Sequence, residues 1–142
     1  MNLNECFDRR LLRRDRPDAE KAKRSIEISK TKLKQAHKAF QNELYDASLV
    51  LAYTSMFHAA RAVLFRDGII EKSHVCMIEY LRTEYVRKGR LGEGFVNSLD
   101  QMRIDRHEAI YGLEASVTMS QTDHAIQQCK EFIETITKLL KM

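Results

Sequence analysis

The chain is poor in the residues that interrupt helices, with 5 Gly and a single Pro, Pro17, among 142 residues. So few turn formers exclude the many tight turns of an all-β fold and leave long helices unbroken. Cys6, Cys76 and Cys129 are odd in number, far apart and share no metal-ligand spacing. They argue against a secreted disulfide framework and against a metal centre, so reduced thiols are expected. No Gly-rich phosphate loop precedes a helix, and no cofactor is expected. Long apolar runs are missing too: none approaches the roughly 18–20 uninterrupted residues of a membrane span. The opening MNLNECFDRRLLRR puts charges where a signal peptide needs its apolar segment. These absences lead to the expectation of a cytoplasmic protein with no membrane partner.

What is present is the balance of a folded domain, 44% hydrophobic and 31% charged. The length suits one domain over 1–142, with 1–16 as a short N-terminal helix or arm. Charge is unevenly placed. Residues 1–40 hold 12 Lys/Arg against 6 Asp/Glu, whereas the remainder holds 12 against 14, so the net +4 originates at the N-terminus. Lys30, Lys34 and Lys38 stand in this stretch as candidate nucleic-acid contacts. The solvated face of an amphipathic helix is the plainer reading of them, because no aromatics interleave the basic residues.

Periodicity predicts helices throughout. A first runs from Asn4 to Arg14, and Pro17 suits the first turn of a second, near Asp18 and Glu20. Along the second, Ala19, Ala22, Ile26, Ser29, Leu33, Ala36 and Phe40 form one stripe whose small members permit close packing. The third, about Asp46 to Arg66, is apolar nearly all round and stops at Asp67-Gly68, as a central element would. Ser73 caps a fourth that carries Val75, Ile78, Leu81 and Tyr85 and ends at Gly89. After the loop at Gly92 and Gly94, Phe95, Leu99, Met102, Arg106 and Ala109 mark the inner stripe of a fifth, closed by Gly112. Ser120 with Asp123 resembles a capping box for the last, which buries Ala125, Cys129, Phe132, Ile136 and Leu139. The expected fold is all-α, an antiparallel up-and-down bundle of four to five main helices plus a short N-terminal helix.

Arg106 breaks its stripe. An inward guanidinium must find a carboxylate, carbonyls, a phosphate or a subunit boundary, since burying it unpaired is very costly. Arg103, His107 and Tyr111 lie on adjoining turns. Arginines that hold a phosphate and a histidine that moves protons could serve metal-free ribonucleolysis. Ion pairs along the helix, Arg103 with Asp100 or Arg106 with Asp105 or Glu108, explain the same residues structurally. His58 with Arg61 intrudes on the third helix, where a hydrogen-bonded core histidine is the plainer reading. Lys72, Ser73 and His74 read as a helix cap with polar flanks.

Three segments, LVLAYTSMFHAARAVLFRDGI, EKSHVCMIEYLRTEYVRKGRL and LDQMRIDRHEAIYG, followed by a closing amphipathic helix, together resemble the HEPN family over roughly Lys21 to Leu140. The likeness is to the prokaryotic branch whose motif runs Arg, two variable residues, Ala, one residue, Tyr, here Arg106, Ala109 and Tyr111. The resemblance implies a helical homodimer and a toxin-like partner for a small nucleotidyltransferase, which in some pairs adenylylates a Tyr at the place of Tyr111. It also implies RNA as a ligand. In the family's ribonucleases an Arg, then four to six intervening residues and a His, line a composite cleft, whereas Arg103 precedes His107 by only three intervening residues. Here no His follows Arg106 at that spacing, and Ala109 stands where active relatives put His. His107, behind Arg103 and Arg106, is the remaining catalytic candidate.

Overall fold

Small residues decide how the two longest helices meet. In the computed structural model, which describes residues 1–113 and 116–142, α2 (Ala19–Gln41) and α3 (Tyr45–Asp67) run antiparallel along one another. Ala22, Ser25, Ser29 and Ala36 of α2 are buried against α3, which buries Ser48, Ala52, Ser55 and Ala59. The serines bond to main chain across the seam. Ser25 Oγ donates to His58 O (2.7 Å), Ser29 Oγ to Ser55 O (2.6 Å), Ser55 Oγ to Ser29 O (2.6 Å) and Ser48 Oγ to Ala36 O (2.8 Å). Each buried hydroxyl is thereby satisfied, and no bulky side chain holds the helices apart.

α6 (Met119–Leu139) closes the core with Ala125, Ile126, Cys129, Phe132, Ile133 and Ile136. Each large apolar side chain taken out of water there contributes about 1.5–3 kcal/mol. α5 (Glu93–Tyr111) packs on α3 through Val96, Leu99 and Met102. α3 is long and apolar enough to cross a membrane, but its residues are mostly buried among these neighbours, the setting of a bundle's central helix. The all-α bundle matches the sequence expectation; the only sheet among the described residues is one pair of short strands.

That pair corrects the reading of the arm. The first helix, α1, covers only Leu3–Asp8; Arg10 then turns with φ +58°, and Leu12–Arg14 form β1. β1 pairs antiparallel with β2 (Ile69–Glu71), Leu12 opposite Glu71. Leu12 and Ile69 are buried by this pairing, which a continuous helix could not arrange. The crossing needs Gly68, which caps α3 at φ +76°: a Cβ there would stand 2.6 Å from Asp15 O. Pro17 lies outside the second helix, just before its N-cap. Asp18 takes that role, its carboxylate accepting from Lys21 N (2.9 Å).

The cysteine expectation is corrected as well. Cys6 and Cys76 form a disulfide that ties the arm to α4 (His74–Leu81), and Cys129 alone keeps a thiol. Spacing in sequence carried no hint of it, because the arm's return beside α4 is a tertiary event. Burial pushes the Cys129 thiol up to about 11, so it stays protonated and unreactive at neutral pH.

Ser73 does cap α4 (His74–Leu81), accepting from Cys76 N. The helix then widens into a π turn over Arg82–Val86 instead of continuing regularly to Gly89. Tyr80 and Tyr85, five residues apart, both donate to Asp67 Oδ2 (2.8 and 2.5 Å), and the wider turn helps bring both to one carboxylate. Val75, expected inside, is exposed. α5 begins at Glu93 and takes in Gly94, and the cap of α6 is Thr118, not Ser120.

Candidate functional site

Beyond Met102, α5 draws away from the core, with Ala109 still packed against it. Ile104 and Ile110 are largely exposed, Tyr111 is 68% exposed and Leu113 fully so. At this departure Arg103, Arg106 and His107 meet Ser73, His74 and Val75 from the start of α4 around a cavity of about 230 Å³. Sequence reasoning placed the first three together and left the α4 residues as a cap.

Arg106 continues the stripe of Leu99 and Met102 and lays its guanidinium over the Tyr53 ring, 5.0 Å from the centroid. This cation–π contact holds the guanidinium in place. No ion pair forms to it among the described residues, and its buried Nε has no hydrogen-bond partner. The carboxylates suggested from sequence are not used: Asp105 instead accepts from Gln101 Nε2 (2.9 Å). Arg103 is anchored, with Nε and Nη2 both 3.1 Å from Asp100 Oδ1.

The fourth donor was missed. His74 stacks on Phe57, with centroids 4.3 Å apart, and its Nδ1 lies 2.6 Å from Tyr53 Oη. Burial, reinforced by Arg106, Arg103 and Arg61, lowers the His74 pKa, so the ring is neutral near pH 7. Tyr53 is pushed up to about 12, chiefly by burial, and keeps its proton. That buried phenolic hydrogen finds its acceptor in His74 Nδ1, which leaves the imidazole proton on Nε2. His74 is thus a donor, not a base. With the two arginines and the Ser73 hydroxyl it makes a donor-rich pocket suited to an anion. The clue in the sequence was Tyr53, a phenol in an apolar helix that had to find a partner.

His107 lies on the exposed side of the cavity, its ring 4.9 Å from that of Tyr111. Tyr111, at the helix end, stands in solvent and does not seal that end as a buried phenol would. Lys30, Lys34 and Lys38 run along the exposed outer face of α2 and do not line this cavity. A more spacious open depression, about 830 Å³, runs along the arm between Arg10, Arg13, Arg14 and Lys72, and includes none of the α5 residues. Among the described residues no three His, Cys, Asp or Glu side chains are grouped to hold a metal ion.

The sequence profile of the HEPN domain matches residues 22–140, the stretch from α2 to the end of α6. The chain belongs to the HEPN family. Similar members include "Putative toxin MJ0605" of Methanocaldococcus jannaschii, 28% identical over 116 residues that cover 82% of this chain and 86% of that protein. "UPF0332 protein PH1297" of Pyrococcus horikoshii is 25% identical over 118 residues, 83% and 78% of the two chains. "Putative toxin MJ0142" of M. jannaschii is 22% identical over 121 residues, 85% and 78%. The matched region holds every residue around the Arg106 cavity. The arm through β1, with Cys6, lies outside it. The disulfide ties that arm to the HEPN domain.

Proposed function

We propose that the protein is the HEPN component of a toxin–antitoxin pair and works as a homodimer that binds a small nucleotidyltransferase through the end of α5. The carrying observation is the junction of an anion-receiving pocket, Arg103 and Arg106 with His74, and an exposed aromatic end, Ile110, Tyr111 and Leu113. A second subunit would cover the apolar end and complete the pocket. The exposed Tyr111 phenol is open to adenylylation by the partner, and the names of the M. jannaschii relatives agree with a toxin-like role. Light scattering at micromolar concentrations should give twice the 16.6 kDa chain mass. A monomer across that range sinks the dimer. The product of a neighbouring nucleotidyltransferase gene, incubated with the protein and ATP, should add one nucleotidyl group to wild type and none to Tyr111→Phe. Equal labelling of both would remove Tyr111 from the reading.

A second reading, metal-independent ribonuclease, is favoured by one observation: His107 lines the same cavity as both arginines. With His74 fixed as a donor, His107 is the base this site offers. Cleavage of single-stranded RNA in EDTA, lost in His107→Gln, would support it; equal rates for the two proteins would end it.

A further inference from the structure

A second group of cations converges farther round α3, on its α2 side. Lys21 and Arg24 of α2 face His58, Arg61 and Phe65 of α3 across a notch of about 190 Å³, with Ile28 at its rim. The spacing of Lys21, Arg24, Ile28 and Lys32 puts them on one stripe of α2, well round the helix from Lys30, Lys34 and Lys38. The notch is held in register by the Ser25 bond to His58 O.

Its polar groups are incompletely used. His58 Nδ1 is buried without a hydrogen-bond partner. Arg61 Nε is 2.8 Å from Glu71 Oε1, yet the pair is misaligned, and neither Arg61 Nε nor Glu71 Oε2 has a hydrogen-bond partner. Among the described residues Lys21 and Arg24 face no carboxylate within ion-pair distance. The Phe65 ring carries the Arg61 guanidinium 4.9 Å and the Lys21 ammonium 5.8 Å from its centroid, which holds both cations at the notch. Ile28 is 43% exposed beside them, a small apolar ledge. Burial first, then Arg61 and Lys32, lowers the His58 pKa, so the imidazole adds a neutral hydrogen-bonding group and not a fourth charge.

We propose that this notch is a second binding site, which takes the phosphate of a small ester with a planar ring. The phosphate sits between Arg24, Lys21 and Arg61 with His58 donating to it, and the ring lies on Ile28 and the edge of Phe65. A guanidinium pair fits the tetrahedral oxyanion bidentately, whereas a bare anion leaves the apolar ledge unused. The volume admits a phosphate and the near edge of one ring, not an enclosed drug-sized molecule. This site shares no lining residue with the Arg106 cavity and does not rest on the function proposed for it.

The test follows the five histidines by NMR during titration with inorganic phosphate, phenyl phosphate, a nucleoside 5′-monophosphate and benzoate. His58 should shift saturably and well beyond His74, which Arg61 also reaches, and beyond His107, and both ring phosphates should bind roughly tenfold more tightly than inorganic phosphate, the scale of one ring packed on a protein surface. Benzoate should bind more weakly than phenyl phosphate. Whichever ring ester binds better identifies the source, nucleotide or aryl phosphate. Arg24→Gln, on the helix surface, should weaken every phosphate about tenfold, the loss of one charge-assisted bond. Ile28→Ser should remove only the advantage of the ring. Equal affinity for inorganic and ring phosphates, or shifts at His74 and His107 instead of His58, would overturn the proposal.

Discussion

The seam between α2 and α3 and the corner between α4 and α5 are both lined with polar side chains, and they treat them in opposite ways. In the seam every serine hydroxyl donates to a main-chain carbonyl across the helix pair, so polarity serves as a spacer and latch. At the corner Arg106 rests on the face of Tyr53 with no ion pair among the described residues, and Ser73 and His74 stand round an open cavity. Polar groups satisfied by backbone rigidify a fold. Those left facing a cavity are available to something else.

Substitutions should separate the two regions. The largest effect is expected in the seam. Ser55→Leu overpacks a fully buried position and strips Ser29 O and Cys129 of a partner, and should cost about 2–5 kcal/mol in a denaturant melt. A loss below about 1 kcal/mol would mean that the helices part easily, and the contrast with the corner would fail. Next comes the covalent tie. Cys6→Ser opens a loop spanning 70 residues and should cost about 2–4 kcal/mol under oxidising conditions and nothing in excess reductant. Arg106→Ala should cost at most about 1 kcal/mol, since it loses a cation–π contact and no ion pair. Partner or RNA binding should nevertheless be lost. A loss of about 3–5 kcal/mol would reveal a buried charge pair and make the corner as structural as the seam.

The smallest effect is in pH. His58 and His74 both have folded pKa values lowered from 6.5, with burial as the first cause. Between those values and 6.5 the unfolded chain binds more protons, so stability is full above about 6.5 and declines as pH falls through the folded values. Melts of His58→Gln/His74→Gln should show less of this decline. An unchanged slope would assign the acid sensitivity to other groups.

Much of the bundle could be read from the chain because its helices obey one period. The stripes through Ala22, Ile26 and Ser29 and through Cys129, Phe132 and Ile136 are buried as their spacing requires. The arm could not be read that way. Leu12 is buried by pairing with a strand more than fifty residues later, and Cys6 meets Cys76 for the same reason. At the site, Arg103, Arg106 and His107 stood together in sequence, so their grouping needed only a helix. Tyr53 and His74 come from two other elements, and the hydrogen bond that fixes the His74 proton exists only once α3 and α4 are packed.

The bridge from Cys6 to Cys76 also imposes an order on synthesis. It encloses the arm, α2 and α3, and all of that ring has left the ribosome before α6 exists to cover the flank of α3 that holds Ser55. A nascent chain oxidised at that stage carries a closed loop with one bare apolar side, the kind of surface that aggregates. Oxidised after α6 has docked, the same bond closes on a finished bundle. Timing of the oxidant should therefore govern the yield of folded protein more than its strength does.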